Sequence, residues 1–257
     1  TNATKYSFEK FNFDGNDKLI VVDGVNDPTV FNTSLAATDV TESSVEGASL
    51  VAAFREHMFY AGMSSTPQEV VFSQPFDEDA FNSGSGAGSI KVDDTIVGLK
   101  VFRENLFIFC ENRIFKVTGS SSSDFAVAPV TRDIGCINGK TIQEFAGDLI
   151  FLGPDGLRTV AGTARIGDVE LGTISANVQS IFDENIINAA AFESVVIPNK
   201  TQYRLFFSKQ GGAESKTEGI VCVLKNQASG QQGYEFSTIK GMKPAASDTF
   251  IKTGDVL

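Results

Sequence analysis

The chain has 257 residues, 42% apolar and 21% charged, which is an ordinary composition for a globular protein. Its formal net charge is −11, and the 21 basic residues are scattered among 32 acidic ones. Because a phosphate-binding surface needs Lys and Arg gathered in patches, this distribution argues against stable binding of nucleic acid. No apolar run reaches the roughly 18 residues of a membrane span, and the N-terminus lacks the pattern of a signal peptide.

The first element in the chain is an alternating apolar and polar stretch at residues 6–13, which predicts a strand. Asp14-Gly15-Asn16-Asp17 then turns the chain into a second apolar run at residues 18–24. This turn resembles the start of a calcium loop, but it lacks the distal Glu, so a plain hairpin turn is the preferred interpretation.

The following elements repeat one pattern, in which an apolar strand, a polar turn of about three residues and a Phe-rich strand follow one another. The pattern occurs at residues 50–73, 96–117, 141–160 and 193–236. Short polar turns between such runs are typical of antiparallel meanders, and a period of roughly 45 residues is typical of propeller blades. The sequence therefore predicts an all-β, β-propeller-like array of antiparallel meander blades, forming a single domain over residues 1–257.

The aromatic content is unusual, with 22 Phe, 4 Tyr and no Trp. A Phe ring has no polar atom that needs a partner, so it suits packing between sheets better than ligand stacking. The predicted structural core consists of Phe54, Phe102, Phe107, Phe109, Phe145, Phe151 and Phe207.

One segment departs from the β pattern. Apolar residues recur at helical spacing between Ile174 and Ile186, and Ser175 is placed to cap the N-terminus. This periodicity predicts one inserted amphipathic helix over about residues 174–188. Its apolar stripe is expected to pack on the chain's own sheets rather than on a partner chain.

Two further features argue against cofactors and metals. The glycine-rich loop at residues 83–89 lacks the Lys-Ser/Thr ending of a phosphate-binding loop. Cys110, Cys136 and Cys222 lie far apart among apolar neighbours, which fits neither a disulfide framework nor a zinc site. We expect buried free thiols, suited to a reducing cytosol, and no cofactor.

Catalytic residues are scarce in the sequence. His57 is the only histidine, and it follows Arg55-Glu56 in a predicted turn. The sequence contains no nucleophile elbow for a catalytic triad. We therefore expect a solvated side chain, no catalytic or metal-binding residue, and a His57→Ala effect within about half a kcal/mol. A propeller glycosidase with paired carboxylates remains an alternative. Its candidate acids are Asp77, Glu78, Asp79, Asp93 and Asp94.

The succession LVAAFREHMFYAG at residues 50–62, with residues 67–81, 96–109 and 133–157, resembles the propeller region of tail proteins from tailed bacteriophages. The nearest match is the tail nozzle, or tail tubular protein B, of short-tailed phages. The resemblance implies a virion protein without catalytic residues, which assembles in the bacterial cytoplasm into a ring, typically hexameric, around the DNA exit channel. Its partners would be neighbouring copies, the tail adaptor and fibre proteins.

Nozzle chains are longer than this one, and the chain starts at Thr1 without Met, so we expect an excerpt of a longer protein. If DNA crosses the ring without stable binding, acids should line the channel and repel phosphates. The candidate channel-facing acids are Asp14, Asp17, Asp77, Glu78, Asp79, Asp93 and Asp94.

The other alternative is a carbohydrate- or receptor-binding module of a virion. Such a module presents an exposed aromatic platform to its ligand, because sugar rings stack on aromatic faces. The candidate rings are Tyr60, Tyr203 and Tyr234.

Overall fold

The computed structural model describes residues 5–161, 173–186, 189–209, 219–226, 232–242, 244, 246–250 and 255–256. The chain divides into two compact units, residues 1–135 and residues 136–257. Both units consist of antiparallel meander sheets, in which each strand is hydrogen-bonded to the next strand along the chain. The predicted all-β, propeller-like class with one inserted helix is confirmed. The prediction that residues 1–257 form a single domain stays a prediction.

The first unit contains three four-stranded sheets, which we call A, B and C. Sheet A consists of β1 (Ser7–Phe11), β2 (Lys18–Val22), β3 (Thr29–Phe31) and β4 (Ala37–Asp39). Sheet B consists of β5 (Leu50–Phe54), β6 (His57–Ala61), β7 (Glu69–Phe72) and β8 (Gly88–Lys91). Sheet C consists of β9 (Ile96–Phe102), β10 (Asn105–Cys110), β11 (Ile114–Thr118) and β12 (Ala126–Thr131).

The second unit contains a three-stranded sheet D, a four-stranded sheet E and a two-stranded pair among its described residues. Sheet D consists of β13 (Gln143–Phe145), β14 (Asp148–Gly153) and β15 (Gly156–Thr159). Sheet E consists of β16 (Ala189–Ile197), β17 (Gln202–Lys209), β18 (Gly219–Asn226) and β19 (Gln232–Ile239). The pair consists of β20 (Thr249–Phe250) and β21 (Asp255–Val256).

The repeat predicted from the sequence corresponds to these sheets. Their first strands begin at residues 7, 50, 96, 143 and 189, which are 43 to 47 residues apart. A spacing near 45 residues provides four short strands and three turns, the content of one propeller blade.

Two hairpin turns in the first unit have unusual residues at their centre. Arg55 and Glu56 join β5 to β6 with φ of 50° and 59°, and Arg103 and Glu104 join β9 to β10 with φ of 45° and 62°. Type I′ turns require positive φ at both central positions. Most natural examples use Asn or Gly there, because the backbone of other residues is strained at positive φ. A cation–π contact offsets part of this strain, because the Arg55 guanidinium lies 5.5 Å from the Phe54 ring centroid.

We expect Glu56→Gly to stabilise the protein, because glycine adopts φ of 59° without strain. The net gain should be about 0.5 kcal/mol, since glycine also increases the entropy of the unfolded chain. Urea denaturation of the variant should show a higher midpoint with an unchanged slope. The matched control is Gly147→Ala in the turn of sheet D, where φ is 79° and the midpoint should fall. A lower midpoint for Glu56→Gly would contradict the strain argument.

Sheet B is packed on both of its faces. Along β6, Met58 and Tyr60 contact the apolar face of sheet A, whereas Phe59 and Ala61 contact sheet C. All five residues of β6 are buried, which explains why the strand is a continuous apolar run after His57.

The seven Phe residues proposed as core are all buried, with exposed fractions between 0% and 8%. Phe109 and Phe151 are completely buried, on the central strands β10 and β14. Phe207 and Phe145 pack together with Tyr203 in the apolar cluster of the second unit.

The inserted helix is shorter than the sequence predicted. A 3₁₀ turn at Ala176–Val178 leads into α1 (Gln179–Ile186), and residues 187–188 of the prediction lie outside the described residues. Ser175 makes no capping hydrogen bond, because its Oγ accepts the Leu157 amide at 3.0 Å instead. Phe182 is buried against sheets D and E, so the apolar stripe packs within its own unit. Among the described residues, no helix is long and apolar enough to cross a membrane.

Candidate functional site

The first unit contains a shallow cleft of about 210 Å³ beside sheet A. It lies between the β3–β4 connection and the loop that follows β7. Its lining residues are Lys18, Val30, Asn32, Ala36, Thr38, Glu78 and Asp79.

The floor of the cleft holds an ion pair between Lys18 and Glu78. The Lys18 Nζ donates to Glu78 Oε1 at 2.8 Å and lies 3.5 Å from Asp14 Oδ2. Burial by itself lowers the pKa of Lys18, but the hydrogen bond and the charge of Glu78 outweigh it, so the pKa is raised. The Glu78 side chain is only 10% exposed, and it depends on Lys18 to compensate its buried charge.

A buried tyrosine fixes the loop that carries Glu78. The Tyr60 hydroxyl donates to the Glu78 backbone carbonyl at 2.6 Å, and the Tyr60 side chain is completely buried. Burial, and then the charge of Glu78, raise the pKa of Tyr60 well above its usual value. The hydroxyl therefore stays protonated and acts as a structural donor.

Asp79 is the acid of the cleft that differs from an ordinary surface carboxylate. Burial, followed by a hydrogen bond with Asp77, raises the pKa of Asp79. A raised carboxyl pKa is one property of a general acid. Glu78 beside it is paired with Lys18, so the lining of the cleft presents one charge pair and one perturbed acid.

The structure distributes the seven proposed channel acids over several turns. Asp14 and Asp17 lie on the β1–β2 turn, where Asp17 pairs with Lys10 at 2.9 Å. Asp93 pairs with Arg113, and Asp94 accepts the Asn112 amide at 2.6 Å. Asp77 and Asp79 are exposed.

Glu78 is buried, unlike the other proposed channel acids, and the proposal that it faces a channel stays a prediction. Its carboxylate is buried against Lys18, a residue 60 positions earlier in the chain. A buried carboxylate that is already paired contributes little repulsion to a phosphate at the surface.

The prediction of a solvated His57 is wrong, because the side chain is only 2% exposed. The turn comprises Arg55 and Glu56 alone, so His57 is the first residue of β6. Its Nδ1 donates to the Ser73 carbonyl at 2.6 Å, and its ring lies edge-on to Phe72 and Phe125 at 5.6 and 5.4 Å. His57 therefore acts as a core residue with one satisfied hydrogen bond.

The three tyrosines considered as a ligand platform are placed differently from that expectation. Tyr60 and Tyr203 are completely buried, and Tyr203 donates to the Thr141 carbonyl at 2.9 Å. Tyr234 is half-buried against the cluster of sheets D and E. These three rings do not form an exposed stacking surface.

The cysteines are free and buried, as the sequence predicted. Burial raises the pKa of Cys136 to about 11 and the pKa values of Cys110 and Cys222 to about 12. Thiols with such pKa values are protonated at neutral pH and are poor nucleophiles and metal ligands. Within the described residues, no group of three or more His, Cys, Asp or Glu side chains could hold a metal ion.

Comparisons with known proteins do not identify a family. No protein-family model matches the chain, and no curated protein matches it. Among solved structures, a streptogramin B lyase is similar with 10% identity and a TM-score of 0.47, over 98% of this chain and 93% of the other. Hsv2p of Kluyveromyces lactis has 9% identity and a TM-score of 0.46, over 93% and 73%. The AfRom2 CNH domain has 10% identity and a TM-score of 0.43, over 90% and 84%.

Proposed function

We propose that the chain is a non-enzymatic structural subunit of a bacteriophage tail, forming part of a nozzle-type ring through which DNA is ejected. The ring is a homo-oligomer, hexameric by the resemblance, that contacts adaptor and fibre proteins in the virion. The proposal rests on the resemblance to tail nozzle proteins, which extends over roughly residues 15–240, and on the ion pairs that hold seven of the chain's 21 basic residues.

The pairing of basic residues is the observation that carries the DNA side of the proposal. Ion pairs with nearby carboxylates hold Lys10, Lys18, Arg55, Lys91, Arg113, Arg158 and Lys225. A cation that is already compensated gains less from a phosphate, because binding DNA would first break the pair. Such a surface allows DNA to pass without being retained.

The turn between β1 and β2 shows this arrangement most clearly. Asp17 compensates Lys10, while Asp14 and Glu78 compensate Lys18. Hydrogen bonds from the Asn16 amide to Asp14 and from Lys10 to Asp17 lower the pKa values of these two carboxyls. Both acids therefore keep their negative charge under mildly acidic conditions, so the ion pairs with Lys10 and Lys18 persist there.

A gel-shift assay with duplex DNA tests the proposal. The chain 1–257 should show no retention of DNA even at about 50 mM salt, where phosphate contacts are strongest. The control replaces Asp14 and Asp17 by Lys, which leaves two new lysines beside Lys10 and Lys18. Each replacement changes the charge by +2, so the net charge moves from −11 to −7. This variant should gain salt-sensitive DNA retention, whereas micromolar binding by the unmodified chain would contradict the conduit role.

A further inference from the structure

The cleft beside sheet A is too small for a cofactor. Its volume is about 210 Å³, whereas pockets for drug-sized molecules have about 300 to 1,000 Å³. The cleft therefore has room for roughly one large side chain. Small pockets of this kind hold the anchor residues of a partner in protein interfaces.

Negative charge exceeds positive charge in and around the cleft. The lining contains Lys18, Glu78 and Asp79, and Asp14 and Asp77 lie beside it. One lysine is thus accompanied by four acids. Burial, the hydrogen bond with Asp77 and the charge of Glu78 disfavour the ionised form of Asp79 and raise its pKa. A cation bound in the cleft would relieve this repulsion.

The lining also contains a hydrogen-bond donor that the described part of the chain does not use. Asn32 Oδ1 accepts the Ser34 and Ala36 amides at 2.9 and 3.0 Å. Asn32 Nδ2, in contrast, donates to none of the described residues. The cleft therefore presents a carboxylate acceptor on Asp79 and an amide donor on Asn32, on opposite walls.

Hydrogen bonds give both walls of the cleft a fixed shape. On the wall between β3 and β4, the Asn32 amide donates to the Ala36 carbonyl at 3.1 Å. On the loop after β7, the Gln74 amide donates to the Ala80 carbonyl at 2.7 Å, and Tyr60 holds the Glu78 carbonyl. A preformed cleft loses little conformational entropy when it binds a ligand.

Each wall exposes one large apolar side chain. Leu35 lies between the lining residues Asn32 and Ala36 and is 80% exposed. Phe76 lies two residues before Glu78 and is 60% exposed. Apolar contacts around a charged anchor exclude water from it and thereby strengthen its polar interactions.

We propose that the cleft binds an arginine side chain from a segment of another protein, with apolar residues on either side of that arginine. Asp79 would accept the guanidinium, whose planar fork binds a carboxylate through two parallel hydrogen bonds. Asn32 would donate to a backbone carbonyl of the segment, and Leu35 and Phe76 would contact its apolar residues. Because this chain carries a formal charge of −11, a basic partner is favoured over a second copy.

The inference does not depend on the proposed ring. The acids of the cleft would compensate the bound guanidinium, as Glu78 and Asp14 compensate Lys18. The bound segment would therefore add no free cation to the surface, and the site is compatible with a wall that does not retain DNA.

An NMR titration of the chain 1–257 with the capped tripeptide acetyl-Leu-Arg-Leu-amide tests the inference. The amide signals of Asn32, Ala36 and Asp79 should shift in a saturable way, with a dissociation constant of about 1 mM. The same tripeptide with citrulline, the neutral isostere of arginine, should bind at least about tenfold more weakly.

Substitutions in the protein provide the second comparison. Asp79→Asn should weaken binding of the arginine tripeptide about tenfold, and Leu35→Ala about threefold. The matched control is Glu46→Gln, which removes one negative charge at an exposed position outside the lining and should leave binding unchanged. Asp79→Asn should unfold at no lower urea concentration than the unmodified chain, which separates lost binding from lost folding.

Three results would overturn the inference: no saturable shift up to about 10 mM arginine tripeptide, equal binding of the citrulline tripeptide, or unchanged binding by Asp79→Asn. Self-association of the unmodified chain that the arginine tripeptide reverses would also contradict it, because the occupant would then be a second copy. Retention of DNA in the gel-shift assay would contradict the conduit role and would leave the cleft's role standing.

Discussion

Replacing Phe59 by Ala should destabilise the first unit by about 3 to 5 kcal/mol, the largest effect that we expect from a single substitution. Phe59 is completely buried on β6. Its ring centroid lies 5.2 Å from that of Phe72, 5.8 Å from Phe54 and 5.7 Å from Phe125. The truncation would leave a cavity between sheets B and C that three rigid rings cannot fill by small movements.

Urea denaturation, monitored by circular dichroism, measures this effect. The control is Phe76→Ala, because Phe76 is 60% exposed and its removal should change the free energy of unfolding by no more than about 0.5 kcal/mol. If both variants unfolded at the same urea concentration, the result would contradict the packing of sheet B on sheet C.

The second large effect should come from His57→Ala, with a loss of about 2 to 4 kcal/mol. The substitution removes a ring that packs on Phe72 and Phe125, and it deprives the buried Ser73 carbonyl of its donor. This expectation reverses the one from sequence, which assigned the residue to solvent.

The matched control is Asn105→Ala. Asn105 begins β10 just as His57 begins β6, but it is only half-buried and donates to the Arg103 carbonyl in its own turn. Its removal should cost less than about 1 kcal/mol. Equal effects of the two substitutions in thermal or urea denaturation would argue against the buried position of His57.

The hairpins could be predicted from the sequence, because they depend on local features. Alternating apolar residues and short polar turns specify each meander without reference to distant residues. The buried Phe residues follow from the same pattern, because a continuous apolar run indicates a strand that is covered on both of its faces.

The environment of His57 was missed because the sequence pattern suggests a turn of three polar residues. In the structure the turn contains only two residues, Arg55 and Glu56, which have the left-handed backbone of a type I′ turn. The same two-residue turn occurs in the next repeat, where Arg103-Glu104 is the turn and Asn105 begins β10. Because Asn105 is polar like His57, the sequences of the two repeats do not distinguish a two-residue turn from a three-residue one.

The placement of Glu78 could not have been predicted from local pattern. Its partner Lys18 lies on sheet A, and its backbone partner Tyr60 lies on sheet B. Contacts between residues far apart in the sequence depend on how the sheets pack, and the acidic composition gives no information about which acid is buried. The same limit applies to Tyr60 and Tyr203, whose hydroxyls find backbone acceptors in loops.

The most direct test of the conduit role is a cryo-electron microscopy reconstruction of the particle that contains this chain. The proposal predicts several copies in a ring around the tail axis, with the acids of the β1–β2 turn and Asp77 and Asp79 directed toward the channel. A position on the periphery as a fibre or spike, or absence from the tail, would contradict it.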